Sequence, residues 1–146
     1  MISRCLDSII SVKDEIIMKI HHVGYLVRKM DRALDKFQEL GYTLEKEPFP
    51  DGYRDADIAF LLNDGYRIEL VCPHKTSDVY PLLKKFGNAP YHICYETENL
   101  ESEEARLKDM GYTVFIPRQP APAIGDDAEV IFLIHSQMGM VELAVL

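Results

Sequence analysis

The sequence predicts an α+β protein built from two copies of one βαβββ module. Two observations predict this fold: an internal repeat, and the same order of strand-like and helix-like patterns in each half. The repeat aligns, without a gap, the segment HVGYLVRKMDRALDKFQELGYT from His22 with the segment HICYETENLESEEARLKDMGYT from His92. Both segments have a tyrosine three places after the histidine and end in Gly-Tyr-Thr, which indicates a repeated structural unit.

Hydrophobic periodicity divides the first module into a strand, a helix and three further strands, at residues 20–27, 30–40, 42–47, 57–62 and 66–72. The same order repeats from residue 90. The first helix is predicted from apolar residues at helical spacing: Met30, Ala33, Leu34, Phe37 and Leu40. Gly41 is placed to end this helix, and in the second module Asn99 and Gly111 are placed to begin and end its counterpart.

The length of 146 residues suits a single domain, which the repeat places at residues 18–146. Module one covers residues 18–73 and module two covers residues 88–146. A linking helix is predicted at 77–87, with Ser77 as its N-cap. Residues 1–17 precede the patterned part of the chain and are interpreted as an N-terminal extension that this fold does not require.

Composition excludes several classes of function. The chain has 24 acidic and 16 basic side chains, so its net charge of -8 leaves no broad basic face for nucleic acid. It has no apolar run long enough to cross a bilayer and no signal-peptide pattern at its start. The three cysteines are an odd number and match no disulfide framework or zinc ribbon, which favours reduced thiols and a cytoplasmic location.

Two histidines and two glutamates occupy equivalent places in the repeat. His22 and His92 lie in the first strand of each module, and Glu69 and Glu142 lie between apolar neighbours in the last strand. Taken singly, each residue would be interpreted as a hydrogen-bonded core histidine or a solvated glutamate. As a repeat-related set they are predicted to converge, because side chains alternate between the two faces of a strand and a buried carboxylate requires a partner.

Imidazole and carboxylate ligands together suit a divalent transition metal, namely Ni, Zn, Co, Mn or Fe(II), better than Ca or Mg. The sequence therefore predicts one metal ion bound by His22, Glu69, His92 and Glu142. The remaining histidines have no equivalent in the repeat and are interpreted as non-ligands: His21, His74 and His135. Three arginines are the candidates to bind a carboxylate or phosphate of the substrate, because a local cation is needed in an acidic protein: Arg54, Arg67 and Arg118. Taken singly, each would be interpreted as a solvated surface arginine.

Four short motifs over residues 19–146 resemble the vicinal oxygen chelate superfamily: HVxxxV, IEL, YHICYE and a terminal VEL. The resemblance implies a curved, eight-stranded mixed sheet cupped around a metal, with the helices outside. The motif positions match His22, Glu69, His92 and Glu142. Members of the superfamily commonly form homodimers, and residues 20–27 and 90–95 are predicted as sheet edges that could pair between chains.

Two enzymes of the superfamily define the main functional hypotheses. Glyoxalase I, or lactoylglutathione lyase, converts the hemithioacetal of a 2-oxoaldehyde and a thiol into a 2-hydroxyacyl thioester, with Glu142 or Glu69 as the expected base here. Methylmalonyl-CoA epimerase is the alternative: IELVCP resembles its pattern, whereas HSQMGMVEL departs from it. A third hypothesis is a metal-free binding or resistance module of the same fold.

Overall fold

The computed structural model describes residues 18–146, so the interpretation of residues 1–17 as an extension lies outside the described residues. Module one contains, in order, β1 (Lys19–Leu26), α1 (Met30–Glu39), β2 (Thr43–Asp51), β3 (Ala56–Asn63) and β4 (Tyr66–Pro73). The linking helix is α2 (Tyr80–Phe86). Module two contains β5 (Ala89–Glu96), α3 (Leu100–Asp109), β6 (Thr113–Pro120), β7 (Glu129–His135) and β8 (Gly139–Val145). The predicted βαβββ order is confirmed in both halves.

The helix ends follow from local chemistry. The side-chain oxygen of Asn99 accepts a hydrogen bond of 3.0 Å from the backbone N–H of Ser102, as its predicted N-cap role requires. Gly41 and Gly111 have φ angles of 97° and 95°, which only glycine adopts without strain, and they follow the ends of α1 and α3. The linking helix is shorter than predicted, since Ser77 forms a turn before it and does not cap it.

The eight strands form one mixed, curled sheet in the order β2-β3-β4-β1-β5-β8-β7-β6. Each module contributes four strands, and its first strand lies parallel to its last: β1 with β4, and β5 with β8. The modules are joined by antiparallel pairing of β1 with β5. The prediction that residues 20–27 and 90–95 form sheet edges is therefore wrong, because the two segments pair with each other at the centre, and the edges are β2 and β6.

Alternation along the strands separates two buried faces. On the outer face, Ala33 of α1 packs with Val27 and Leu70, and Leu107 of α3 packs with Leu143. The concave face has its own apolar clusters around Leu26, Ile58, Phe60, Val71, Val130 and Phe132. Both faces are thus covered by apolar side chains, and polar groups buried on the concave face must find partners there. No helix within residues 18–146 is long and apolar enough to span a membrane.

Candidate metal centre

Four polar side chains converge on the concave face, where β1 and β5 meet. They are the predicted set His22, Glu69, His92 and Glu142, and each is at most 5% exposed. One donor atom from each lies within 4.8 Å of the donor atoms of the other three. The convergence follows from topology: β4 and β8 flank the central β1–β5 pair, so the first and last strands of both modules are neighbours.

The donor atoms are closer together than ordinary packing requires. The Nε2 atom of His22 lies 3.1 Å from Nε2 of His92, 3.0 Å from Oε1 of Glu142 and 3.4 Å from Oε1 of Glu69. The Nε2 atom of His92 lies 3.0 Å and 3.6 Å from the same two carboxylate oxygens. One imidazole N–H donates a single strong hydrogen bond, so a proton on His22 cannot satisfy three such neighbours.

These distances fit a shared cation. Nitrogen and oxygen ligands bind a transition metal at about 2.0–2.2 Å, which separates adjacent donors by roughly 3.0 Å in an octahedral site and 3.4 Å in a tetrahedral site. In addition, Oε1 of Glu142 is buried and has no aligned hydrogen bond to any described residue, despite its short contacts with both imidazoles. A buried carboxylate oxygen in short contact with two imidazole nitrogens is a ligand environment, and the residues present fit a divalent metal ion.

The electrostatics of the cluster also favour a positive charge at its centre. Burial alone would lower the pKa of His22, but the charge of Glu69 and close contacts with Glu142 and Glu69 raise it to about 10. Burial alone would raise the pKa of Glu142, but the charge of His92 and contacts with both imidazoles hold it well below its ordinary value. A proton on His22 compensates the buried carboxylates in the metal-free protein, and a metal ion can replace it.

Two aromatic rings form matching walls beside the histidines. Phe60 lies edge-on to His22 and Phe132 lies edge-on to His92, each with a distance of 5.3 Å between ring centroids. The two phenylalanines pair across the sheet with Glu69 and Glu142, respectively. The repeat thus supplies apolar walls as well as polar groups, and these walls exclude water from the site.

Backbone register identifies a residue whose importance the repeat does not reveal. Gly24 is paired with Glu69 on one side and with His92 on the other, whereas Cys94, at the equivalent place in module two, is paired with His22 and Glu142. The absence of a side chain at position 24 leaves the imidazole of His92 free to lie over the strand. The change from glycine to cysteine between repeats was visible in the sequence, but its meaning depended on the strand pairing.

The three arginines predicted to bind substrate are each bonded within the protein. Arg67 donates to both oxygens of Glu45, at 2.7 Å and 3.0 Å. Arg118 contacts Glu104 of α3 at 3.3 Å. A role for Arg67 and Arg118 in substrate binding stays a prediction, because each guanidinium already has an acidic partner.

Arg54 connects the two modules. Its guanidinium lies 3.5 Å from the buried carboxylate of Asp51 and donates to the carbonyl of Pro120, which precedes the β6–β7 loop (residues 121–128). Lys46 of β2 donates to the carbonyl of Ala123 in that loop, at 2.6 Å. Side chains of module one therefore hold a loop of module two beside the concave face, and substrate binding by Arg54 also stays a prediction.

Comparison with known families agrees with the fold. The family profile described as the Glyoxalase/Bleomycin resistance protein/Dioxygenase superfamily matches residues 21–132. The chain belongs to this superfamily. The matched segment includes His22, Glu69 and His92, and Glu142 lies beyond its end. No curated protein matches the chain.

Solved structures share the superfamily fold at low sequence identity. A hypothetical protein from Bacillus halodurans has a TM-score of 0.77 and 22% identity, over 90% of this chain and 96% of its own. A Streptomyces coelicolor methylmalonyl-CoA epimerase variant, in complex with 2-nitronate-propionyl-CoA, has a TM-score of 0.74 and 20% identity, over 89% and 95%. The epimerase from Mycobacterium tuberculosis has a TM-score of 0.73 and 20% identity, over 86% of each chain. At such identities the likeness establishes the fold alone.

Proposed function

We propose that the protein is a metal-dependent isomerase of the glyoxalase I type, which converts a hemithioacetal into a 2-hydroxyacyl thioester. The observation that carries this proposal is the convergence of two imidazoles and two carboxylates at 3.0–3.6 Å on a buried concave face. His22, Glu69, His92 and Glu142 would hold the metal. When bound, the metal would supply Lewis-acid polarisation of the substrate oxygens.

The reaction moves protons without a change in atom count. A carboxylate takes the proton from the carbon that bears the hydroxyl and sulfur, and an enediolate forms as the electron pair moves toward the neighbouring carbonyl. Return of the proton to that neighbouring carbon, with the hydroxyl proton transferred between the two oxygens, gives the thioester. No oxidant or reductant is consumed.

Glu142 and Glu69 are the two carboxylates proposed for this proton transfer. Glu142 has a 2% exposed side chain and lies 3.0 Å from both imidazoles. Glu69 has a 7% exposed side chain and lies 3.4 Å and 3.6 Å from them, so it is held less tightly. This difference favours Glu69 as the carboxylate that reaches the substrate carbon, with Glu142 as the more firmly fixed ligand.

The test is an assay of chelator-treated protein reloaded separately with nickel and zinc. Thioester formation from methylglyoxal with glutathione or bacillithiol is measured beside epimerisation of methylmalonyl-CoA. Metal-restored thioester formation that is lost in Glu69→Gln or Glu142→Gln, and retained in the surface control Glu101→Gln, would support the proposal. Protein that binds neither metal and turns over no substrate would overturn it and favour the metal-free binding module.

A thioester epimerase is the second candidate function. Its supporting observation is that the structural neighbours include methylmalonyl-CoA epimerases, among them complexes with 2-nitronate-propionyl-CoA and with methylmalonyl-CoA. Epimerisation requires two bases on opposite sides of one carbon, and Glu69 and Glu142 come from opposite halves of the sheet. Epimerisation without thioester formation in the parallel assay would select this function over the first.

A further inference from the structure

A bulge in β1 brings a third histidine to the site. In the pairing of β1 with β5, Ile20 lies opposite Tyr95 and His22 lies opposite Cys94. His21 is therefore an extra residue, with no paired residue on β5. A bulge of this kind breaks the alternation of side chains between faces and re-aims the extra residue. As a result, Nδ1 of His21 lies 2.7 Å from Nδ1 of His22.

We propose that His21 is a positioning residue that fixes the tautomer and ring orientation of His22 for metal binding. The inference rests on the metal site proposed above and is independent of the substrate. A metal bound at Nε2 of His22 requires a lone pair there, so neutral His22 carries its proton on Nδ1. That Nδ1–H donates to Nδ1 of His21, and Nε2 is left directed toward Glu69, His92 and Glu142.

The other half of the repeat supplies an internal comparison. In β5, His92 lies opposite Gly24 and Pro90 lies opposite Tyr25, so Tyr91 is the extra residue of a matching bulge. Tyr91 packs edge-on to His92, with 4.4 Å between ring centroids. The Nδ1 atom of His92 is buried and has no hydrogen-bond partner within residues 18–146. One imidazole is therefore oriented by a hydrogen bond and the other by packing.

The bulge itself is anchored by the predicted substrate-binding residue Arg67. Its Nη1 atom donates to the backbone carbonyl of His21 at 2.9 Å, while its other nitrogens hold Glu45 of β2. The ring of His21 also lies edge-on to Phe60, with 6.1 Å between centroids. Backbone and ring are thus both held, which is the support that a residue orienting a metal ligand requires.

The experiment measures zinc affinity by competition with a chromogenic chelator, in full-length protein. Outer hydrogen-bond partners of metal ligands typically contribute about 10–100-fold in affinity. His21→Phe, which keeps a ring but removes the hydrogen-bond acceptor, is expected to bind zinc about 10–100-fold more weakly than wild type. His21→Asn, whose side-chain oxygen can accept the same hydrogen bond, is expected to recover part of the loss. Tyr91→Phe, at the equivalent place, is expected to bind zinc close to wild type.

Nitrogen-15 spectra of the histidine rings give a second readout that a general loss of stability would not reproduce. In the zinc-loaded wild type, His22 is expected to carry its proton on Nδ1, and that proton is expected to exchange faster in His21→Phe. If wild type and both His21 variants bind one zinc with equal affinity, the inference is wrong while the metal site stands. If His22 carries its proton on Nε2 in the zinc-loaded protein, the inference and the assignment of His22 as a ligand through Nε2 are both wrong. If wild type binds no zinc, the proposed site fails and the inference fails with it.

Discussion

The imidazole of His92 lies directly over the backbone of Gly24. A Cβ atom built on Gly24 would stand 2.0 Å from Cε1, 2.3 Å from Nδ1 and 2.5 Å from Nε2 of His92. Real Cβ atoms essentially never approach other atoms below 3.0 Å. The ring is packed by Tyr91 and Phe132, so it cannot turn aside without moving one of them. Any side chain at position 24 must therefore displace a proposed metal ligand.

Gly24→Ala is expected to reduce metal affinity by at least about 10-fold, the scale of a misplaced ligand. Gly52→Ala is the matched control, because a Cβ there meets no described atom within 4 Å. Competition with a chelator for nickel or zinc measures the metal affinity of both variants. Equal affinity in Gly24→Ala and Gly52→Ala would contradict the placement of His92.

Metal removal is expected to lower stability. A ligand at 100 times its dissociation constant adds about 2.7 kcal/mol to the free energy of unfolding, provided that it binds only the folded state. Thermal unfolding with and without added zinc should show that zinc stabilises the wild type. The same measurement should show no stabilisation of His92→Ala by zinc. His74→Ala, at an exposed histidine bonded to Asp55 and Asp57, should retain the stabilisation by zinc. A stabilisation that persists in His92→Ala would place the bound zinc elsewhere.

Metal binding is expected to release a proton and to tighten as the pH rises. The pKa of His22 is raised to about 10 in the metal-free cluster, so this imidazole is protonated at pH 7–9 and a cation must displace its proton. Displacement of one proton increases apparent affinity about tenfold per pH unit below that pKa. Calorimetry in buffers of different ionisation enthalpy counts the protons released. Binding that is independent of pH between 7 and 9 would contradict the charge balance assigned to the cluster.

Arg54 and Arg118 are expected to differ in their contribution to stability. Arg54 is 10% exposed beside the fully buried carboxylate of Asp51, whereas Arg118 is 40% exposed beside Glu104. Arg54→Met should lower the free energy of unfolding by roughly 3 kcal/mol, because it leaves a buried charge without its partner. Arg118→Met should cost about 0–1 kcal/mol, as exposed pairs do. Urea unfolding of both variants measures the difference, and equal costs would refute the assigned burial.

The sequence was sufficient to predict the modules and to select the four converging residues. The repeat placed His22 and His92, and Glu69 and Glu142, at equivalent positions, and equivalent positions in paired modules approach each other around a pseudo-two-fold axis. Helix ends were also predictable, since Asn99 as an N-cap and glycine after each helix are local effects. Two kinds of interaction could thus be predicted from the sequence: those between residues close together in the chain, and those between residues at equivalent positions of the two modules.

Strand partners and bulges could not be predicted in the same way. Hydrophobic alternation gives the face of a side chain but not the neighbour of its strand, which is why residues 20–27 and 90–95 were predicted to form edges. His21 has no histidine counterpart in the repeat, and the bulge between Ile20 and His22 brings its ring beside that of His22. The partners of Arg54 and Arg67 likewise depend on tertiary contacts that no local pattern records.

The most direct test of the metal centre is an anomalous difference map from crystals of nickel-loaded protein. A single strong peak is expected among His22, Glu69, His92 and Glu142, at about 2.0–2.2 Å from the two Nε2 atoms and the carboxylate oxygens. No peak there, or a peak bound by other residues, would contradict the four-ligand site and the metal-dependent function built on it.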